Sequence, residues 1–262
     1  HGWIGFIESE VNNYPPHWQE AADLNLVNVP HWYDGPLLYL KKYFPFIGFN
    51  EITGQVIFGR KNVEKAYQAQ LAEIKQLTKE RLGDIPTLIG EFGIPYDMEN
   101  KKAYRNGKFQ NHVKAMDRSM RMMEASLLNY TIWNYTADNT NARGDLWNDE
   151  DLSIFSRDQQ TDMTDINSGG RALQAVIRPF PMALAGEPVV SNFNPQTSTY
   201  TLEFIGDPKI TAPSEIFFPQ WHYAKGAEIK ISDGSYEIVA DQQILRFFQG
   251  EATNHKIKIT PK

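Results

Sequence analysis

Leu88-Ile89-Gly90-Glu91-Phe92-Gly93 is the stretch whose reading decides the fold. Pro86-Thr87 leads into it, Leu88 and Ile89 suit a strand interior, and glycines flank a single carboxylate. A short apolar run bounded by Gly and Pro reads as a strand buried on both faces, the kind found in parallel sheets. Burying an unpaired carboxylate is expensive, so Glu91 at the end of such a strand needs a reason. Two are open at this point. In a barrel of alternating strands and helices the carboxyl ends of the strands carry the chemistry. Alternatively, Glu91 is a salt-bridged acid in a loop.

Working outward, residues 62–81 place Val63, Ala66, Tyr67, Leu71, Ile74 and Leu77 at helical spacing, with Gly83-Asp84 as the stop. Residues 24–29 alternate like a strand and end at Pro30-His31-Trp32-Tyr33-Asp34, with an aromatic loop expected through Tyr43-Phe44-Pro45-Phe46. Residues 2–7 are a glycine-punctuated apolar start. After Glu91 the reading is a polar, helix-poor insertion over residues 96–107. A second helix follows, with Val113, Met116, Met120, Met123 and Leu127 on its core face. Residues 129–135 read as the next strand and open into a long acidic loop that includes Asn148-Asp149-Glu150-Asp151; a last short helix is expected over residues 172–177.

After Pro181 the helical periodicity gives way to short alternating strands at residues 200–204, 229–231, 236–238 and 256–259, and Asp233-Gly234 reads as a hairpin turn between two of them. The boundary is placed at Ala185-Gly186-Glu187-Pro188. It separates an α/β domain, 1–184, from an antiparallel β-sandwich domain, 185–262. Only three or four strand–helix units are legible before it, whereas a closed barrel needs eight. The first domain is therefore either an open sheet or the second half of a (β/α)8 TIM barrel.

Composition narrows the function classes. The chain has 262 residues, of which 41% are hydrophobic and 13% aromatic, enough for a substantial core. Its net charge of -6 and the lack of basic runs argue against nucleic acid. With no cysteine there are no disulfides, thiolate metal sites or cysteine nucleophiles. The six histidines show no pair at ligand spacing, so no metal is expected. No apolar stretch is long enough to span a membrane. An open-sheet enzyme of another type lacks both a phosphate-binding glycine loop and a Gly-x-Ser-x-Gly elbow.

His31-Trp32-Tyr33 ending one strand, Gly90-Glu91-Phe92-Gly93 ending the next and Trp133 ending the one after resemble the last three strands of family-five glycoside hydrolases. Gly144-Asp145-Leu146-Trp147-Asn148, Glu150-Asp151-Leu152-Ser153, Gly169-Gly170-Arg171-Ala172-Leu173 and Arg178-Pro179-Phe180-Pro181 narrow the resemblance to the endoglycoceramidase and glycolipid β-glucosidase branch. It implies the second half of a TIM barrel followed by a β-sandwich, no cofactor, and a β-glucoside or glycolipid substrate. It favours a secreted or membrane-peripheral protein. Such enzymes are retaining, with two carboxylates about 5–5.5 Å apart. Glu91 then matches the nucleophile, Tyr33 a donor to it, His31 a pocket residue and Trp133 the platform under the reacting sugar. On the residues alone, Trp133 as core packing and His31 as a structural histidine stay open.

The resemblance also implies a general acid within an Asn-Glu-Pro, which this chain lacks. Asn50-Glu51-Ile52 has no proline and lies after His31. The chain starts at His1 and not at Met, so processing or truncation just downstream of the acid is expected. The missing half of the barrel would then be supplied in cis or in trans. Glu8 and Glu10 are the nearest substitutes, with solvated loop charges as their ordinary explanation. A non-catalytic carbohydrate- or glycolipid-binding protein is the alternative from another class.

Overall fold

Parallel pairing organises the first part of the chain. β1 (Gly5–Ile7) pairs with β2 (Leu26–Asn28), and β5 (Leu88–Phe92) pairs with β6 (Asn129–Ile132). Parallel bridges Asn28–Thr87 and His31–Glu91 join the two pairs, so β2 and β5 run side by side. The computed structural model describes residues 2–9, 14–51 and 53–262. Contacts divide the chain into His1–Leu173 and Gln174–Lys262.

In the first unit the periodic stretches become the helices that cover these strands. α2 (Arg60–Leu82) buries Val63, Tyr67, Leu71 and Leu82. α4 (Gln110–Ala125) buries Met116, Met120 and Met123, so its methionine stripe is core. Asn28 on β2 donates from Nδ2 to Thr78 Oγ1 of α2 at 2.8 Å, which ties strand to helix where apolar contact alone would not fix the register.

The sequence reading is amended at two places. Residues 43–46 are a loop as expected, but α1 (Gly35–Leu40) precedes it, and a hairpin of β3 (Ile47–Asn50) and β4 (Gln55–Phe58) that the sequence reading did not name follows it. The signal for α1 was present: Asp34 is its N-cap, accepting from the Leu37 N–H at 3.3 Å, and Pro36 follows in the first turn. Residues 96–107 are not helix-poor, because α3 (Met98–Asn106) lies there. Its Glu99, Asn100 and Lys101 sit at positive φ, a left-handed start that polar residues disguise as loop.

An ion pair between Asp34 and Arg118 of α4, both almost fully buried, links distant parts of this unit. Tyr67 of α2 donates to Asp34 Oδ1 at 2.8 Å, and Arg118 Nη1 donates to the Phe44 carbonyl at 2.8 Å. The guanidinium lies over the Tyr43 and Tyr67 rings, 4.7 and 5.5 Å from their centroids.

The second unit holds two four-stranded antiparallel sheets. Strands β7 (Pro181–Ala183), β10 (Ser214–Phe217), β12 (Ser235–Val239) and β13 (Ile244–Phe248) form one, in the order β12-β13-β10-β7. The other is ordered β11-β14-β9-β8, from β8 (Gly186–Asn194), β9 (Thr199–Gly206), β11 (Ala227–Ile231) and β14 (Asn254–Pro261). Alternating side chains from both sheets meet in one core that includes Phe193, Tyr200, Phe204, Ile216, Phe247 and Ile257. Asp233-Gly234 is not a hairpin turn: β11 pairs with β14 and β12 with β13, so the turn hands the chain from one sheet to the other. Gly234 has φ +73 and lies where a Cβ would meet the Phe248 carbonyl at 2.2 Å. Asp233 is anchored by His255 Nδ1 at 2.7 Å. Those tertiary contacts redirect a dipeptide that by itself favours a hairpin.

Two outcomes are expected. Asp34→Ala leaves the Arg118 charge buried without its partner and should cost about 3–5 kcal/mol in denaturant unfolding. His112, stacked on Tyr96 and donating from Nε2 to the Tyr96 carbonyl at 3.0 Å, has its pKa lowered from 6.5 to about 4, chiefly by burial. The folded state therefore binds the proton less readily than the unfolded chain. Its contribution is full above pH 6.5 and is lost as pH falls toward 4, by roughly 3 kcal/mol. Urea midpoints across this window should show a shallower pH slope in His112→Gln.

Candidate active site

The site begins with how closely two strand ends approach. A Cβ on Gly90 would lie 2.9 Å from the Val29 carbonyl, so only glycine lets β5 run this near the end of β2. The ladder continues past β2: Gly90 N–H donates to the Pro30 carbonyl at 2.9 Å, and Trp32 N–H to the Glu91 carbonyl at 3.0 Å. His31 and Glu91 are thus neighbours, and Tyr33, two residues on, falls on the side of His31. Trp32 points the other way and is buried, with Nε1 donating to Gln70 of α2 at 3.2 Å and its ring edge-on to Tyr67.

Two groups converge on one carboxylate oxygen. Tyr33 Oη donates to Glu91 Oε2 at 3.0 Å, and His31 Nδ1 lies 3.2 Å from the same atom. Among the described residues no hydrogen bond engages Oε1. The Tyr33 phenol is held well above its ordinary acidity range, first by burial and then by the Glu91 charge, so it stays a donor. Glu91 is partly open, with 27% of its side chain exposed, so a ligand can reach it.

Trp133 follows β6 directly, and its N–H donates to the Phe92 carbonyl at 2.8 Å. It is half-buried, at the strand end beside that of Glu91. A Cβ on Gly93 would lie 2.1 Å from the Trp133 carbonyl, so the second glycine flanking Glu91 makes room for this backbone. Glu8 stands at the end of β1 and is not merely a solvated loop charge. His31 Nε2 lies 3.2 Å from its Oε1, so the ring bridges Glu8 and Glu91. Glu8 follows β1 directly, but its side chain is 57% exposed, so the burial argument that singled out Glu91 gives no signal for it. Glu10 lies outside the described residues.

The acidic loop adds members that the sequence did not assign to the site. The Glu150 carboxyl is pushed above the usual range, first by burial, then by Asp145; Glu91 and Asp97 add to this, and Lys41 opposes it. Glu150 therefore shares the electrostatic environment of Glu91. Asp145 accepts from the Leu152 N–H at 2.7 Å and from Asn139 Nδ2 at 2.7 Å. Asp151 is clasped by Arg171, Nη1 to Oδ2 at 3.1 Å and Nη2 to Oδ1 at 2.6 Å. Among the described residues no cluster of three or more His, Asp or Glu could hold a metal ion, and no helix is long and apolar enough to cross a membrane.

The model of the family described as Glycoside hydrolase family 5 C-terminal domain matches residues 178–260. The chain is related to family-five glycoside hydrolases. It is 33% identical to a glucosylceramidase of Rhizopus delemar, over 91% of this chain and 38% of that protein. It is 28% identical to an ergosteryl-beta-glucosidase of Saccharomyces cerevisiae, over 92% of this chain and 41% of that one. Sterylglucosidase 1 of Cryptococcus neoformans superposes with a TM-score of 0.89 at 31% identity, covering 99% of this chain and 42% of that structure. Endo-glycoceramidase II from Rhodococcus sp. superposes at 0.59 with 17% identity, over 91% of this chain and 44% of that structure, a likeness of fold. The chain thus spans about two fifths of the length of the relatives it matches.

Gly93→Ala tests the joint between the two strand ends. Its Cβ cannot coexist with the Trp133 carbonyl, so a loss of about 1–3 kcal/mol is expected, on the scale of overpacking. A shift in tryptophan emission should accompany it as Trp133 moves.

Proposed function

We infer that the chain is the C-terminal part of a retaining β-glycosidase acting on a glycolipid or related β-glucoside, with Glu91 as the nucleophile. In this reading residues 1–184 are the second half of a (β/α)8 barrel and residues 185–262 its β-sandwich. The first half of the barrel, with the acid/base, belongs upstream of His1 in cis or in trans. The observation that carries the reading is the convergence of Tyr33 and His31 on Oε2 of a strand-end carboxylate. The names of the relatives supply the substrate class.

The chemistry follows from that geometry. Tyr33 and His31 fix the carboxylate through one oxygen, and Oε1 is left for the anomeric carbon. Attack forms a glycosyl ester on Glu91 and breaks the bond to the leaving oxygen, which takes its proton from the upstream acid. Water, deprotonated by the same upstream group, then cleaves the ester and frees the sugar and Glu91. Trp133 is the platform for the apolar face of the sugar ring, and its removal should weaken sugar binding by about 1 kcal/mol. Titration calorimetry of Trp133→Ala checks that.

The decisive experiment is hydrolysis of an aryl β-glucoside and of a glucosylated lipid. The isolated 262-residue chain should not turn over the lipid steadily, and addition of its upstream segment should restore turnover. With that segment present, Glu91→Gln should abolish cleavage with an unchanged unfolding curve. Near-normal turnover by that variant would remove Glu91 from the role. Steady lipid turnover by the chain alone would place the acid within it, and Glu8 and Glu150 would be the first to mutate. Sugar binding without turnover in the extended protein would instead favour the non-catalytic binding protein.

A further inference from the structure

The β3–β4 hairpin presents an apolar face with no partner among the described residues. Ile47 is paired with Phe58 and Phe49 with Val56, so these four side chains share one face, while Gly48 and Ile57 share the other. The Gly48 face packs on α2, where a Cβ would meet Val63 at 2.8 Å and Tyr67 Oη at 3.1 Å. The opposite face looks away from α2, and Ile47, Val56 and Phe58 are 37%, 55% and 67% exposed. A two-stranded ribbon with one covered face ordinarily turns polar residues outward. This one does not. Contiguous exposed apolar surface of that kind marks an interaction site.

Charge indicates what the surface meets. Within a chain of net charge -6, residues 39–61 carry Lys41, Lys42, Arg60 and Lys61 against the single acid Glu51. Lys42, Arg60 and Lys61 are exposed, and the Arg60 guanidinium lies 5.6 Å from the centroid of the exposed Phe46 ring. Glu51 is turned back, with its Oε1 2.5 Å from where a Gly35 Cβ would stand. Lys41 is paired to Asp97, and exposed aromatic and branched side chains followed in the chain by the exposed cations Arg60 and Lys61 match the boundary between lipid headgroups and acyl chains. Cations beside exposed apolar side chains complement the anionic phosphates of a lipid surface, and a carboxylate-bearing second copy is the outcome that sedimentation velocity separates from it.

The geometry points to the β3–β4 hairpin as the element that docks this protein on an anionic lipid bilayer, with Ile47, Val56 and Phe58 entering the headgroup boundary and Arg60 and Lys61 meeting lipid phosphates. The hairpin lies in the segment that joins Tyr33 to α2, after α1. Only the use of such docking, access to a glucoside embedded in the bilayer, rests on the proposed function.

The test needs no catalysis, so it fails or succeeds separately from the enzyme reading. The chain is sedimented with phosphatidylcholine vesicles with and without about one third phosphatidylserine. Binding is expected to the anionic vesicles, with the lipid concentration for half-binding rising roughly tenfold in Val56→Glu/Phe58→Glu and in Arg60→Glu/Lys61→Glu, the second pair lying outside any packed face. Thermal unfolding of each variant establishes that it is folded. No binding by the native chain, or undiminished binding by both folded variants, overturns the proposal. So does a dimer in sedimentation velocity that Val56→Glu/Phe58→Glu splits, because a second copy then covers the face. Loss of binding when the upstream segment is added would also overturn it, by making the face internal to the longer protein.

Discussion

A buried carboxylate and a buried guanidinium hold the first unit together, and the candidate site depends on them. Asp34 ends the run His31-Trp32-Tyr33 and is bound at once by Arg118 of α4, Tyr67 of α2 and the first turn of α1. A charge in such a place is tolerable only if every lone pair is answered, which makes the arrangement of its partners obligatory. Tyr33, one residue before this anchor, and His31, three before it, cannot swing without dragging α2 and α4. The ion pair contributes less to net stability than to fixing which rotamers meet at Glu91.

The acidic loop is held in the same way. Arg171 clasps both oxygens of Asp151, donates to the Ser153 and Phe155 carbonyls, and lies 4.3 Å from the centroid of the Tyr96 ring. Asn139 links Asp151 to Asp145 through one amide nitrogen, at 2.9 and 2.7 Å. Gly144, at φ +59, admits the Glu150 carbonyl where a Cβ would sit 2.1 Å away. Loop residues that would otherwise be mobile are thereby set at fixed positions, among them Glu150. Two arginines from distant sequence positions therefore secure the two loops that flank Glu91.

What the sequence revealed and what it hid divide along physical lines. Helices α2 and α4 were legible because a repeating apolar face is a property of the residues themselves. So was the strand-end position of Glu91, because Gly and Pro bound a short apolar run there; Gly90 and Gly93 each turn out to admit a neighbouring backbone. The bridge from Glu8 through His31 was hidden, because it joins a three-residue strand to a residue over twenty positions away. Glu150 was hidden in a run of acids where nothing local distinguishes the one whose ionisation the Glu91 charge opposes. Asp233-Gly234 was misread for the complementary reason: its local preference is real, but His255 and the Phe248 backbone, far along the chain, decide which sheet the next strand joins.

The charges around Glu91 have a consequence of their own. Burial and then the charges of Asp145, Glu91 and Asp97 raise the cost of ionising Glu150, and Glu8 reaches toward Glu91 through His31. Against these stands Lys41, which is already paired to Asp97 at 2.6 Å. A region with this excess of carboxylates disfavours a phosphate or carboxylate ligand, whose charge would be repelled at short range. It suits a neutral, hydroxyl-rich ligand, whose hydroxyls can donate to a carboxylate oxygen such as Oε1 of Glu91. It suits still better a ligand on which positive charge develops during reaction, as on the anomeric carbon of a sugar losing its leaving group. The same field explains why Tyr33 is needed at Oε2: a donor that cannot readily lose its proton supplies a hydrogen bond without adding another negative charge.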